Sequence, residues 1–243
     1  MSDDDDAPVP EDVPRFAFLL TQTTEIPSDE EVESAYEALW PDEPLAGSFR
    51  IGGIDGPVPE GEAQHAAAFS VASLGNAKAL APHSAHLVLI YTPAEDLSAV
   101  GELQAFTRVL AALLVASGAQ AVYWGAAGAS HPAGFFVEVA QNVEIPLPLW
   151  SGVSRWRLPD GRLGLLSLGM AQLGLLDLFV TAPADEATGA LGFFYDLLTY
   201  VAERGSVLRD GETTGRSEDE QLVVHHRPSP DDDTLMVFAV DLP

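Results

Sequence analysis

HLVLIYTPAEDLSAVGELQAFTRVLAALLVASG, residues 86–118, joins a short apolar run to a long periodic one. Leu87 to Tyr91 is a continuous apolar block of strand length, stopped by Thr92-Pro93. Leu103, Phe106, Val109, Leu110, Leu113 and Leu114 then recur at helical spacing on one broad face, and Gly118 ends the run. Shifted by 88 positions the pattern returns as LLDLFVTAPADEATGALGFFYDLLTYVAERG, residues 175–205. Leu191 then falls on Leu103, Phe194 on Phe106, Leu197 on Val109, Leu198 on Leu110, Val201 on Leu113 and Gly189 on Gly101. A looser copy stands in front, with Phe16 to Leu20 followed by a helix through Val32, Tyr36 and Leu39. Ser28 as N-cap and Glu31 three positions on form a capping box for that helix. The strand-helix unit is the building block.

Between and after these units the pattern predicts mostly strands. Ser48 to Ile54 reads as a strand, as does His65 to Ser73. Ala121 to Trp124 reads as a strand that runs into a loop of small residues, Gly125 to Pro132, with helix or strand over Phe135 to Val139. Val153 to Leu158 and Arg162 to Leu168 make a hairpin across Pro159-Asp160-Gly161, because Asp-Gly supplies the positive dihedrals of a tight turn. Ser206 to Leu208, Gln221 to His226 and Leu235 to Val240 read as closing strands. Runs of this kind favour an α+β layout: a mixed, largely antiparallel sheet or sheets, about three helices packed on one face, and repeated β-α-β-β units of ferredoxin-like type. The expected organisation is a disordered acidic tail over residues 1–14 and a single domain over 15–243, with pseudo-halves 15–150 and 151–243.

Charge narrows the partners. Against 37 acidic residues stand 11 basic ones, a formal net charge of −26, and Lys78 is the only lysine. Such a surface repels nucleic-acid phosphates and anionic lipid headgroups, whose binding depends on Lys and Arg, so neither is an expected partner. A basic protein is the partner that the charge fits. There is no cysteine, which removes disulfides, thiolate metal sites and a cysteine nucleophile. The opening MSDDDDAPVPEDVP has the wrong charge for a secretory signal. Leu163 to Val180 approaches membrane length, but Gln172, Asp177 and three glycines interrupt it. The expected location is cytoplasmic.

Gly118-Ala119-Gln120-Ala121-Val122-Tyr123-Trp124, the run from Leu168 to Leu178 (LGMAQLGLLDL), and Asp210-Gly211-Glu212-Thr213-Thr214-Gly215 with Ser217 together carry a family likeness. On these residues the chain, mainly over its second half, resembles the bacterial family catalogued as domain of unknown function 4261. The resemblance implies a soluble bacterial α+β protein and supplies no catalytic residue.

Chemistry-bearing residues are scattered. Ile51-Gly52-Gly53-Ile54-Asp55-Gly56 has the look of a phosphate loop, but Pro57 and Pro59 follow where a helix is required. His83 and His86 stand three apart at a strand start, where their side chains diverge, and His225-His226 are adjacent on a strand. Ser130-His131 lacks the second glycine of a nucleophile elbow. Asp210, Glu212 and Glu218-Asp219-Glu220 offer carboxylates without the register of a calcium loop. No metal and no cofactor are implied. The candidate binding residues are Trp124, Ser130, His131, Asp210 and Glu212, with no catalytic set among them. The leading expectation is a non-enzymatic protein-protein interaction or regulatory module of immunity type with an acidic surface. The alternative is a hydrolase or metal-dependent enzyme with a site near loops 125–132 and 210–217.

Overall fold

Two sheets with helices between and around them make up the computed structural model, which describes residues 14–217 and 219–243. The tail expected over 1–14 lies, apart from Pro14, outside the described residues, as does Glu218. The first half runs β1 (Arg15–Thr21), α1 (Asp29–Leu39), β2 (Ser48–Ile54), α2 (Glu62–Ala66), β3 (Ala85–Thr92), α3 (Ala99–Ser117), β4 (Ala121–Trp124), β5 (Ala129–Pro132), α4 (Ala133–Asn142) and α5 (Leu147–Trp150). Its sheet has the order β2-β3-β1-β4-β5, every neighbouring pair antiparallel. The second half runs β6 (Gly152–Arg157), β7 (Leu163–Leu168), β8 (Asp177–Ala182), α6 (Ala187–Arg204), β9 (Thr213–Thr214), β10 (Leu222–Pro228) and β11 (Met236–Asp241). Its sheet has the order β6-β7-β8-β11-β10-β9, and β8 pairs with β11 in parallel while the other ladders are antiparallel. The fold is α+β with mixed, largely antiparallel sheets.

The two copies of the strand-helix unit are β3-α3 and β8-α6. Phe106 and Phe194, Leu110 and Leu198, and Leu113 and Val201 are each fully buried, so the offset that aligns the sequences also aligns the apolar faces. Each helix ends on a glycine in the left-handed region, Gly118 at φ 62° and Gly205 at φ 64°, a conformation that spares a side chain the Cβ clash. The units serve different sheets, however, and their continuations differ, since the parallel β8-β11 pair has no counterpart in the first sheet. In the looser front copy the capping box forms as read: the Glu31 N–H donates to Ser28 Oγ at 3.3 Å, and the Ser28 N–H donates to Glu31 Oε2 at 2.8 Å.

Local readings fail where alanine or backbone proximity wins. His65 to Ser73 is α2 running into two turns of 3-10 helix, because the alanine-rich HAAAF favours helix over strand. Ser206 to Leu208 forms no strand, and the second half of the small-residue loop 125–132 is the strand β5. Helices do not keep to one face of the first sheet. α1 and α3 pack on one side, and the segment from Val58 to Leu80 covers the other through Val58, Ala63, Ala67 and Leu80 against Leu20 and Ala121. α3 is long and apolar enough to cross a membrane by length and composition, and half of its most apolar stretch is buried within the protein.

One contiguous core holds residues of both halves, from Leu19 and Leu89 to Val180 and Phe238. At the seam the backbones approach closely: a Cβ on Gly169 (φ +100°) would overlap the Ala126 carbonyl oxygen, and one on Gly152 would sit 2.9 Å from the Ala127 oxygen. Gln172 closes the seam with hydrogen bonds. Its Oε1 accepts the Trp124 indole N–H at 3.0 Å, and its Nε2 donates to the Trp150 and Gly169 carbonyls at 3.1 and 3.2 Å.

Candidate functional site

A broad concavity lies along α6. A groove of about 950 Å³ runs between that helix and the segment Leu208 to Arg216 that includes β9. Its helical wall is the exposed row Gly189, Gly192, Asp196, Tyr200 and Arg204, spaced three and four apart as one face of a helix requires. Phe193, Leu197 and Leu208, each nearly buried, form an apolar floor.

The opposite wall is built by the sequence Asp210 to Gly215. The Glu212 carboxylate accepts the Arg209 N–H at 2.7 Å and closes a turn, while Asp210 accepts the His226 N–H at 2.8 Å and ties the turn to β10. Gly211 (φ +82°) and Glu212 both face Val224: the Gly211 N–H donates to the Val224 carbonyl and the Val224 N–H to the Glu212 carbonyl, each at 2.8 Å. Two residues opposite one is a glycine bulge, which re-aims the strand. A Cβ on Gly215 would overlap the Glu220 carbonyl oxygen, so glycine lets the segment turn back there. Thr213 and Thr214 then pair with Val223 and Leu222, leaving β9 as the outermost strand of its sheet.

Charge in the groove is uneven. Arg216 is held by Glu220 and Glu186, at 2.5 and 3.4 Å. Arg204 lies over the Tyr200 ring, 5.3 Å from its centroid, and donates to the phenol oxygen at 2.9 Å. Asp196 and Glu212 have no cationic partner among the described residues. Gly189 and Gly192 carry a different signal, because a Cβ on either meets nothing within 4 Å. Glycine within a helix costs about 1 kcal/mol relative to alanine, and the protein's own packing does not call for it here.

The structure distributes the sequence-derived candidates over three places. Glu212 lines the groove and Asp210 anchors its wall. Trp124 is buried at the seam, beside a cleft of about 550 Å³ whose rim holds the Arg15–Glu102 ion pair at 2.7 Å. Ser130 and His131 lie on β5 with no exposed surface. The two loops proposed to form an enzymatic site therefore do not meet in one cavity: neither Ser130 nor His131 lines the groove or the cleft.

His131 has a serine partner, but it is Ser70, whose Oγ is 2.9 Å from Nδ1. On the other side of the ring Nε2 is 3.2 Å from the Leu149 carbonyl, which only accepts, so Nε2 carries the proton and Nδ1 accepts from the Ser70 hydroxyl. Burial holds the imidazole down to about 4, against a weaker upward pull from the Leu149 carbonyl, so the ring is neutral at neutral pH. Such a pair pins β5 to the covering segment. The neighbouring Ser130 Oγ is buried with no hydrogen-bond partner.

Three of the other histidines are likewise engaged. His83 Nε2 accepts the Val58 N–H at 2.9 Å, and His86 Nδ1 donates to the Gly56 carbonyl at 2.8 Å, both holding the covering segment on the first sheet. His226 Nε2 donates to the Leu208 carbonyl at 2.7 Å, and His225 is exposed. Among the described residues no three His, Asp or Glu side chains converge to hold a metal ion.

Sequence reasoning missed Ser70, Gln172 as a seam residue, and the glycines of α6. The last had a signal: Gly189 and Gly192 interrupt an otherwise strong helical pattern without ending it.

A two-sheet α+β protein with a groove at the edge of its second sheet is the class that fold and site define. Residues 166–237 match the model of a family described as domain of unknown function (DUF4261), so the groove and Gln172 fall within the matched stretch, while Trp124 and Trp150, which Gln172 bonds, lie outside it. No curated protein and no solved structure matches the chain.

Proposed function

We propose that the chain is a non-enzymatic protein-protein interaction module, acidic over its surface, whose contact site is the groove between α6 and β9. The observation that carries this reading is the pairing of an outermost strand with a helix face that holds two glycines its own fold does not need. A bare strand edge is a template for another chain, and a groove beside it admits that chain's side chains. The acidic surface speeds encounter with a cationic partner, in the manner of electrostatic steering. The enzymatic alternative draws no support from the geometry, since its two loops lie apart and Ser130 and His131 are enclosed.

The test is capture from a lysate by the immobilised chain at low and at high salt, beside a Gly192→Trp variant. The groove has room for the added indole, so this variant keeps the fold while filling the site. A protein retained at low salt by the wild type and lost by the variant is expected. Retention of the same proteins by both, or of none by either, would end the proposal.

A further inference from the structure

Resting on that reading, we infer that the occupant of the groove is an extended peptide segment of a partner protein, about six residues long, which carries basic and apolar side chains and adds as an outer strand to β9. Four observations lead there.

The first is the direction of the main chain. Gly211 and Glu212 bond inward to Val224, and two residues further on Thr214 faces Leu222. In an antiparallel ladder successive residues alternate between bonding the neighbour and pointing away, so the N–H and C=O of Thr213 point away from β10. Thr213 is exposed and lines the groove. It offers one donor and one acceptor to an incoming strand.

The second is length. Gly189 to Arg204 on the helix spans about 22 Å at 1.5 Å per residue, and six extended residues span about 20 Å. The wall segment runs antiparallel to the helix: Arg216 reaches Glu186 at the helix start, and Leu208 follows closely on the helix end at Gly205. An extended chain of six residues laid along β9 therefore fits the full length of the groove.

The third is clearance. Where Gly189 and Gly192 stand there is no atom within 4 Å of a would-be Cβ, and both lie on the groove side. A backbone or a bulky side chain approaches the helix most closely there. The fourth is charge and polarity. Asp196 and Glu212 face the groove without cationic partners among the described residues. Arg216 is already matched by two carboxylates, and the chain as a whole carries −26. A basic side chain gains from Asp196 and Glu212, while apolar ones cover Phe193, Leu197 and Leu208.

Selection of a random-dodecapeptide phage library on the immobilised full chain, with parallel selection on Gly192→Trp, tests the inference. Selected peptides are synthesised with a fluorophore and their affinity is read by anisotropy. The expected result is enrichment of peptides alternating basic and apolar residues, whose binding weakens by about tenfold or more on Gly192→Trp. N-methylation of alternate amides abolishes binding in one phase of the alternation, and hydrogen exchange at the Thr213 amide slows in the complex. Groove-dependent enrichment of acidic peptides, or of peptides indifferent to N-methylation in either phase, overturns the inference about the occupant and leaves the interaction reading standing. Enrichment no greater on the wild type than on Gly192→Trp overturns both. A self-association seen by sedimentation and lost in Gly192→Trp makes the occupant a second copy of this chain and also overturns the inference.

Discussion

Replacing Gly192 and Gly189 by alanine separates what α6 needs from what the groove needs. Gly192 is the sixth residue of a helix that runs from Ala187 to Arg204, and Gly189 is the third. Neither has a positive φ, and a Cβ on either meets no atom within 4 Å, so neither substitution carries a steric cost. In a helix interior Gly to Ala stabilises by about 1 kcal/mol, and at the third position, where the helix has barely begun, by about half of that. The pair is expected to gain about 1.5 kcal/mol. For a chain of this size that raises the melting temperature by about 3–6 °C. Urea denaturation followed by circular dichroism measures the same gain as a shift in midpoint at unchanged slope. In the peptide assay the same variant binds more weakly, because two methyl groups narrow the closest approach. Unchanged or reduced stability would refute the reasoning, for it would mean that the helix face is already in contact with another part of the chain.

Three further outcomes follow from the seam, the buried histidine and the shared core. Gln172→Leu strips the Trp124 indole N–H and the Trp150 carbonyl of their common partner, and the loss is expected to be about 2–4 kcal/mol in urea denaturation. A loss below about 0.5 kcal/mol would show that those groups find other partners. His131, held down to about 4 against 6.5 when unfolded, contributes stability that is complete above pH 6.5 and is lost as pH falls towards 4, since the unfolded chain takes up the proton first. Compared with His131→Phe, the wild type should lose about 3 kcal/mol over that window, and parallel pH profiles would refute it. The comparison cancels Asp177, whose carboxyl burial pushes up and whose contribution has the opposite sign. A fragment of residues 151–243 is expected to lack a fixed tertiary structure by near-ultraviolet circular dichroism, because its buried face shares one core with α3 and α5; a native-like spectrum would show independent halves.

The strand-helix units were legible because their apolar spacing is long and their ends are marked. Ser98 caps α3 and Gly118 and Gly205 close α3 and α6, each for a local reason that no distant contact alters. His65 to Ser73 was misread because its role is to lay small side chains on the outer face of the first sheet, a tertiary task that period-two reading does not detect. The parallel pairing of β8 with β11 was equally out of reach, since it joins strands separated by α6 and two other strands. Of the candidate site, Asp210 and Glu212 were legible as members of a glycine-rich acidic loop. Their function in shaping an edge strand was not, because it depends on Val224 and His226 across the ladder. Ser130 and His131 were attractive for their adjacency, yet the histidine's serine is 61 positions away, at Ser70.

The residues that carry the family likeness divide by what they touch. Gly169, Gln172 and Asp177 face inward: Gly169 and Gln172 meet Ala126, Trp124 and Trp150 of the first half, and Asp177 accepts from the Ser167 hydroxyl at 2.6 Å and the Met170 N–H at 3.2 Å. The run from Asp210 to Gly215 faces outward, and every one of its backbone constraints serves to set β9 beside α6. A fold that needed only a closed second sheet could end it at β10, whose pairing with β11 already buries Val224. The bulge at Gly211, the turn closed by Glu212 and the close passage at Gly215 add a two-residue strand that contributes no residue to the core. Two glycines on the facing helix lower its intrinsic stability at the same place. Features that weaken or do not assist folding, yet converge on one groove, support the proposed contact site over a purely structural edge.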